Sequence, residues 1–397
     1  MIEKIILKLF YCLLILFPTG LLLRFKLFSN TSIVPQDIVV FVILVLTFLY
    51  YFKEKKFPKN NFFKFHLLFL IAGTLSLVVN LIMHPDIKFL QSFLYSLRYI
   101  AYLSLLIAPL DKNSMPGIKK ALIWSGTAVL LIGFWQFFFY YDLYSLFYLG
   151  WDDHLYRMFS TFLDPNFAGV FFILLFFLLL GKIIKENFIH VYKEIIFSFF
   201  TLVALYLTFS RTALVALAAG LITFTIVTRK YKAMFITFLV LVVFLFIISD
   251  THVEGLNPLR TASTSKRIDS YKESVEIISK NSFIGVGFNA FRYAQVRYGY
   301  RNQQGASWSN ADAGTDNSLL FAFVTTGIRG LFFYIAGWYF MIKNINAKEG
   351  KNRVILLSSL TALFIGSMFT NILFYTPILT FWFLTLRVEA DTVKAGK

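Results

Sequence analysis

Apolar residues run along this chain in long blocks, each closed by a short polar segment, and the alternation continues to the C-terminal region. Crossing the hydrocarbon of a bilayer takes about 20 mostly apolar residues at 1.5 Å of rise each. Blocks of that size lie near 5–23, 33–52, 65–83, 89–110, 117–140, 166–184, 190–209, 211–228, 233–249, 317–342, 354–370 and 372–386, which predicts twelve spans. The expected fold is an all-α polytopic membrane protein with one large outer-face loop that contains an amphipathic helix. By position, residues 1–249 hold spans 1–9, residues 250–315 the loop, and residues 316–397 spans 10–12 with a short tail. The first block follows Lys4 and Lys8 with no small-residue cleavage site after it, so it reads as a retained helix rather than a signal peptide.

Two departures from the block pattern draw interest. The run 190–227 is apolar except for Ser210-Arg211 at its centre. As one helix it would be about 57 Å long, nearly twice the hydrocarbon thickness. It must fold back at Ser210-Arg211, with Ala213, Ala216 and Gly220 as a small-residue face for close packing. The second departure is the loop 250–315, since loops of this length without a function are uncommon. Within it "STSKRIDSYKESVEIISKN" places Ile268, Tyr271, Val275 and Ile278 at helical spacing, which predicts an amphipathic helix of about 14 residues. The stretches "FIGVGFNAF" and "YGYRNQQGASWSNADAG" that follow read as a mobile lid or substrate-access segment. Gly285 and Gly287 lack the preceding strand and following helix that a phosphate-binding dinucleotide loop needs.

Composition sharpens this picture. The chain is 58% hydrophobic and 15% charged, far from soluble usage. A formal charge of +17 would suit a nucleic-acid partner if it were clustered, but it follows the spans instead. With the N-terminus inside, the inner segments hold 23 Lys and Arg against five in the short outer ones, as the positive-inside rule requires. The basic charge is therefore a topology signal that places both termini in the cytoplasm and the large loop outside, and no nucleic-acid partner is expected. All 21 carboxylates fall in loops or at span ends, whereas proton-coupled transporters generally need one at mid-membrane. The halves also show no repeat of the kind inverted-repeat transporters carry. Cys12 is the only cysteine, so no internal disulfide forms.

The polar residues at span ends are the candidates for chemistry. Arg211, fixed at the fold-back, is either an interfacial snorkelling arginine or an anion site, because its planar fork of donors suits phosphate oxygens. In "YRMFSTFLDPNFAGVFF", Asp164 and Pro165 make a helix start, while Arg157 and Asn166 are candidates for a polar headgroup. Arg98 falls near the middle of the fourth span and should point inward toward a partner, for which an ion pair or a carbonyl cluster is the plain reading. Arg267 opens the loop helix beside Lys266, where a solvated face is the plain alternative. Asp316 and Asn317 stand where the polar loop enters the tenth span.

Taken in order, "RMFSTFLDPNFAG", "TFSRTALVALAAG", "SKRIDSYKESVEIISKNSFIGVGFNAF" and "TDNSLLFAFVTTGIRGL" resemble the O-antigen ligase and O-antigen or capsule polymerase superfamily of bacterial membrane glycosyltransferases over about residues 90–345. The resemblance implies an enzyme of the bacterial inner membrane that passes a glycan from an undecaprenyl diphosphate carrier to a hydroxyl of an acceptor glycan or lipid at the outer leaflet, with neither cofactor nor metal. It assigns catalytic roles to Arg211 and Arg267, whose counterparts follow the seventh span and open the loop helix, and makes Asp316 the base for the acceptor hydroxyl. Arg98, Arg157, Asn166 and Asn317 become diphosphate or substrate contacts. Ligases carry histidine and then asparagine at the entry to the tenth span; Asp316 replaces that histidine here and leans the expectation toward a polymerase. The competing class is a membrane transporter or lipid-linked oligosaccharide flippase, since twelve spans is also a common transporter count.

Overall fold

The computed structural model describes residues 1–28, 31–149, 154–186, 188–229, 262–301, 314–348 and 350–391. The expected span 233–249 and the loop residues 250–261 and 302–313 lie outside them. Apart from a small hairpin, β1 Phe25–Phe28 against β2 Thr31–Ile33, the described residues are organised by helices. These are α1 Ile2–Leu16, α2 Pro35–Glu54, α3 Asn61–Met83, α4 Phe89–Ser104, α5 Met115–Phe139, α6 Pro165–Ile183, α7 Phe188–Leu207, α8 Arg211–Thr228, α9 Ala262–Asn281, α10 Phe291–Arg297, α11 Ser318–Asn346, α12 Gly350–Ser367 and α13 Thr376–Asp391.

Among the described residues seven helices, α2, α3, α5, α6, α7, α8 and α11, are long and apolar enough to cross a membrane. Some of the other apolar blocks fold into shorter helices, for local reasons. Pro18 in the 3-10 turn Phe17–Thr19 stops α1, because a proline cannot donate the next helical bond. In α4 the Ser104 hydroxyl turns back onto the Ala101 carbonyl, and the chain leaves the helix at Leu105. The carbonyls of Leu105 and Ala108, freed by that turn, accept hydrogen bonds from Arg387 of α13 at 2.9 and 2.7 Å.

The bundle packs α3 on α11, α8 on α12 and α6 on α7. The predicted fold-back at Ser210-Arg211 is present: Phe209 takes a left-handed φ of 47°, and the Ser210 hydroxyl accepts from the Ala213 amide at 3.3 Å to start α8. Close packing explains the small face beyond it. A Cβ on Gly220 would lie 2.9 Å from the Ser358 carbonyl oxygen, and one on Gly169 only 2.6 Å from the Ala213 Cβ.

Over residues 282–290 the segment after α9 is packed into the core, while residues 302–313 of the expected lid lie outside the described residues. Helix α11 breaks at Gly327, whose φ of 65° and ψ of −173° are open to glycine and strained for other residues. The break leaves carbonyls of Val324 and Thr325 without helical donors, and both residues are fully buried, where a polar group needs a partner. Residues 282–290 supply the donors instead. Val286 and Gly287 amides bond to Val324 and Thr325 at 2.9 and 3.0 Å, and the Ile328 amide returns a bond of 2.9 Å to Ser282. Asn80 of α3 donates to the Gly285 carbonyl at 2.8 Å, and Phe288 is buried among Phe69, Tyr99, Phe321 and Phe374. The segment read from sequence as lid or access loop is thus, over 282–290, an inserted piece of the core.

Helix α9 runs to 20 residues rather than about 14, and its buried face is turned from the expected one. Ser274, Ile277 and Ile278 pack inward against Val286, Phe291 and Val324, while Ile268 and Val275 remain exposed. At the other end of the bundle Glu389, expected in a polar tail, is fully buried in α13. Its carboxylate meets Lys119 of α5 at 2.7 Å and Lys185 after α6, and its carbonyl accepts from Asn352 of α12 at 2.6 Å. A carboxylate tolerates burial only when paired in this way.

Candidate active site

Three helix starts and the beginning of α9 meet at one end of the bundle. Pro165 lacks an amide proton, so Asp164 caps α6 through the next two amides, Asn166 at 2.6 Å and Phe167 at 3.3 Å. The Asn166 side-chain oxygen then accepts from the Ser210 hydroxyl at 2.8 Å, which ties the start of α8 to the start of α6. Arg157 supports the same turn from below. It is 7% exposed, and its guanidinium donates to the carbonyls of Thr208 at 2.9 Å and Phe209 at 3.4 Å. Two sequence candidates, Arg157 and Asn166, therefore converge on the turn that presents Arg211.

Arg211 itself donates to Thr264 of α9 at 3.1 Å. One turn along α9 stands Arg267, within electrostatic range of Arg211. A further turn brings Ser270 and Tyr271 against the entry to α11: the Asp316 amide reaches the Ser270 hydroxyl at 3.4 Å, and the Tyr271 hydroxyl lies against the carbonyls of Asp316 and Met368. Asn317, not Asp316, is the cap of α11, accepting from Leu319 and Leu320 amides at 2.9 and 3.1 Å. Its amide nitrogen holds the Met368 carbonyl at 3.3 Å. Asp316 is left with a carboxylate to which none of the described residues donates a hydrogen bond.

That carboxyl titrates above its ordinary value of 3.8. Burial is the main cause; the Arg267 guanidinium pulls the other way, and the charge of Asp164 adds to the rise. Burial likewise raises the Tyr271 hydroxyl, opposed by Arg267. Arg211, Arg267, Asp316, Asp164 and Tyr271 thus share one electrostatic neighbourhood, ringed by the positive ends of α6, α8 and α11. Such an arrangement suits an anion held beside a carboxyl that changes protonation easily.

Arg98 lies elsewhere. It pairs with Asp37 of α2 at 2.8 Å, reaches the Ser32 carbonyl at 2.5 Å and sits over the Tyr95 ring. Its link to the cluster is indirect, through Arg24, which is in range of both Arg98 and Tyr375, and through Tyr375, which is in range of Asp164. Sequence reasoning passed over Ser270 and Tyr271 as site residues. Tyr271 is one turn from Arg267, and that spacing places both on one helix face. Among the described residues no group of three or more His, Cys, Asp or Glu side chains is placed to hold a metal ion.

Comparison with curated proteins finds no match. Residues 196–335 do match the family model described as O-antigen ligase, a segment that contains Arg211, Arg267, Asp316 and Asn317. With the long apolar helices, this marks a multi-pass bacterial membrane protein of the glycosyltransferase type, engaged in glycan transfer for cell-surface polysaccharide assembly. The family supported for this chain is the O-antigen ligase and polymerase superfamily.

Proposed function

We propose that the Arg211, Arg267 and Asp316 cluster is the reaction centre of an enzyme that moves a glycan from an undecaprenyl diphosphate carrier to an acceptor hydroxyl. The observation that carries this reading is the meeting of two arginines from separate elements with one half-buried carboxyl that caps no helix. The acceptor oxygen attacks the anomeric carbon as the bond to the diphosphate oxygen breaks. The leaving diphosphate keeps the electron pair, and Arg211 and Arg267 stabilise its growing charge, which dispenses with a metal. Asp316 takes the acceptor proton. Arg157, Asn166 and Asn317 hold the presenting turns, while Arg98, paired with Asp37 away from the cluster, holds the flank of the bundle rather than the diphosphate. In this reading α1, α4, α12, α13 and the block 233–249 join the seven long helices as twelve spans, with both termini cytoplasmic and the site facing outward.

The test is incubation of the purified protein with lipid-linked repeat units, with products resolved by length. A ladder of products identifies a polymerase and a single added chain on a lipid core a ligase; no transfer to any acceptor, with flipping of the lipid-linked unit across vesicles, would replace the enzyme by a flippase.

A further inference from the structure

A polar cavity of about 640 Å³ opens at the same end of the bundle as the candidate active site, between the turn after α3 and helix α10. Its walls include Met83, His84, Pro85, Asp86, Arg297 and Arg301. Arg297 and Asp86 face each other at 3.5 Å, too long for a hydrogen bond of full strength. Both terminal nitrogens of Arg297 are buried and make no hydrogen bond among the described residues. Arg301 is held over the cavity by Glu273 of α9 at 3.1 Å. His84 titrates below its usual value, mainly through burial, with Arg297 acting in the same direction. A buried guanidinium is rarely left with one long ion pair as its only match, and when Asp86 swings aside the Arg297 fork beside a half-apolar wall suits a carboxylate on a ring.

The cavity and the reaction centre share α9. Glu273 anchors Arg301, while Tyr271, two residues earlier on the roughly opposite face of the helix, touches Asp316; Arg267 lies about 9 Å before Glu273 along the axis, and a path round the helix between the two faces is longer than that. A glycan of a few sugars spans that distance.

We propose that this cavity is a glycan subsite that binds the carboxylate of an acidic sugar, set back from the reacting end, with Arg297 as its anchoring cation and Met83 and Pro85 packing the ring face. The subsite rests on the transfer reading above, and it would select substrates whose repeat unit carries an acid. Asp86 competes with the sugar carboxylate for Arg297 and keeps the cavity closed to neutral chains.

The test uses the full chain in phosphatidylcholine nanodiscs, titrated calorimetrically with a hexuronate-containing tetrasaccharide and with its neutral counterpart. The acidic sugar binds and the neutral one is at least about tenfold weaker. Arg297→Gln lowers affinity for the acid about ten- to hundredfold, the ordinary worth of a hydrogen bond to a charged group. Asp86→Asn raises it, whereas a purely structural ion pair would make both variants move the same way. Equal binding of acidic and neutral sugars, or a loss in both variants, overturns the proposal; so does displacement of the sugar by phosphatidylglycerol, which would reassign the cavity to lipid headgroups. Arg211→Lys keeps this binding while stopping transfer. If transfer survives Arg211→Lys and Asp316→Asn while Arg297-dependent binding stands, the transfer reading fails and the subsite remains.

Discussion

Replacing Gly285 by alanine tests whether the inserted segment 282–290 holds the broken helix. Gly285 has a φ of +78°, and a Cβ there would fall 2.5 Å from the Gly327 amide nitrogen and 2.6 Å from the Thr325 carbonyl carbon. Both are backbone atoms, so no rotamer change relieves the overlap. The left-handed conformation costs an alanine about 1–2 kcal/mol. Moving the segment away to clear the clash breaks the amide bonds from Val286 and Gly287 to Val324 and Thr325, and each buried carbonyl left without a donor costs about 1–3 kcal/mol. The combined loss is about 3–8 kcal/mol, a large part of the margin by which proteins stay folded. Gly299 is the matched control: its φ is +80°, but nothing lies within 4 Å of a Cβ built on it, so only the conformational term applies. Unfolding followed by tryptophan fluorescence in detergent should show Gly285→Ala destabilised by several times the loss in Gly299→Ala. Equal losses in the two variants would refute the docking argument.

Four further outcomes follow from the site. Arg211→Lys and Arg267→Lys should each lower transfer by about 10²–10³ with unchanged unfolding midpoints, since lysine keeps the charge and loses the fork; full activity would assign the arginine to the interface. Asp316→Asn should cost about 10²–10⁴ in rate and Asp316→His should retain transfer, while Asn317→Ala should cost about 1 kcal/mol of stability because it, not Asp316, caps α11. Asp316 must be ionised to accept a proton, so the rate falls as pH drops through its raised pKa, and the acid limb lies above 3.8. Arg267→Gln should move that limb up and Asp164→Asn should move it down, a pair of opposite shifts readable in rate profiles. Cysteines placed at the exposed Lys55 and Lys120 should label only in permeabilised cells; labelling in intact cells would invert the proposed topology.

Much of the helical frame was legible because it rests on local facts. An apolar block needs no partner to be recognised, and the fold-back at Ser210-Arg211 follows from length alone. Capping at Asp164 was legible for the same reason. What escaped depends on contacts between distant residues. Gly327 looks like any glycine of "TTGIRG" until its broken carbonyls are matched with amides some 40 residues earlier. The rotation of α9 is set by Val324 and Phe291, which its own periodicity does not contain. Arg157 and Asn166 were identified as polar residues of the right region, yet the atoms they hold belong to the turn at 208–210, and nothing local told which of Asp316 and Asn317 caps α11.

The buried Glu389 has a bearing on how the chain is made. Lys119 and Lys185 enter the bundle with α5 and after α6, more than 200 residues before the carboxylate that neutralises them is synthesised. Until α13 arrives, both ammonium groups must stay in water or headgroups, so this end of the bundle stays open during translation and shuts when Glu389 docks. A chain truncated before Thr376 would display two uncompensated lysines at a half-built seam, the kind of surface that membrane quality-control proteases select. Lengths of nascent chain on either side of residue 389 should therefore differ sharply in their half-lives.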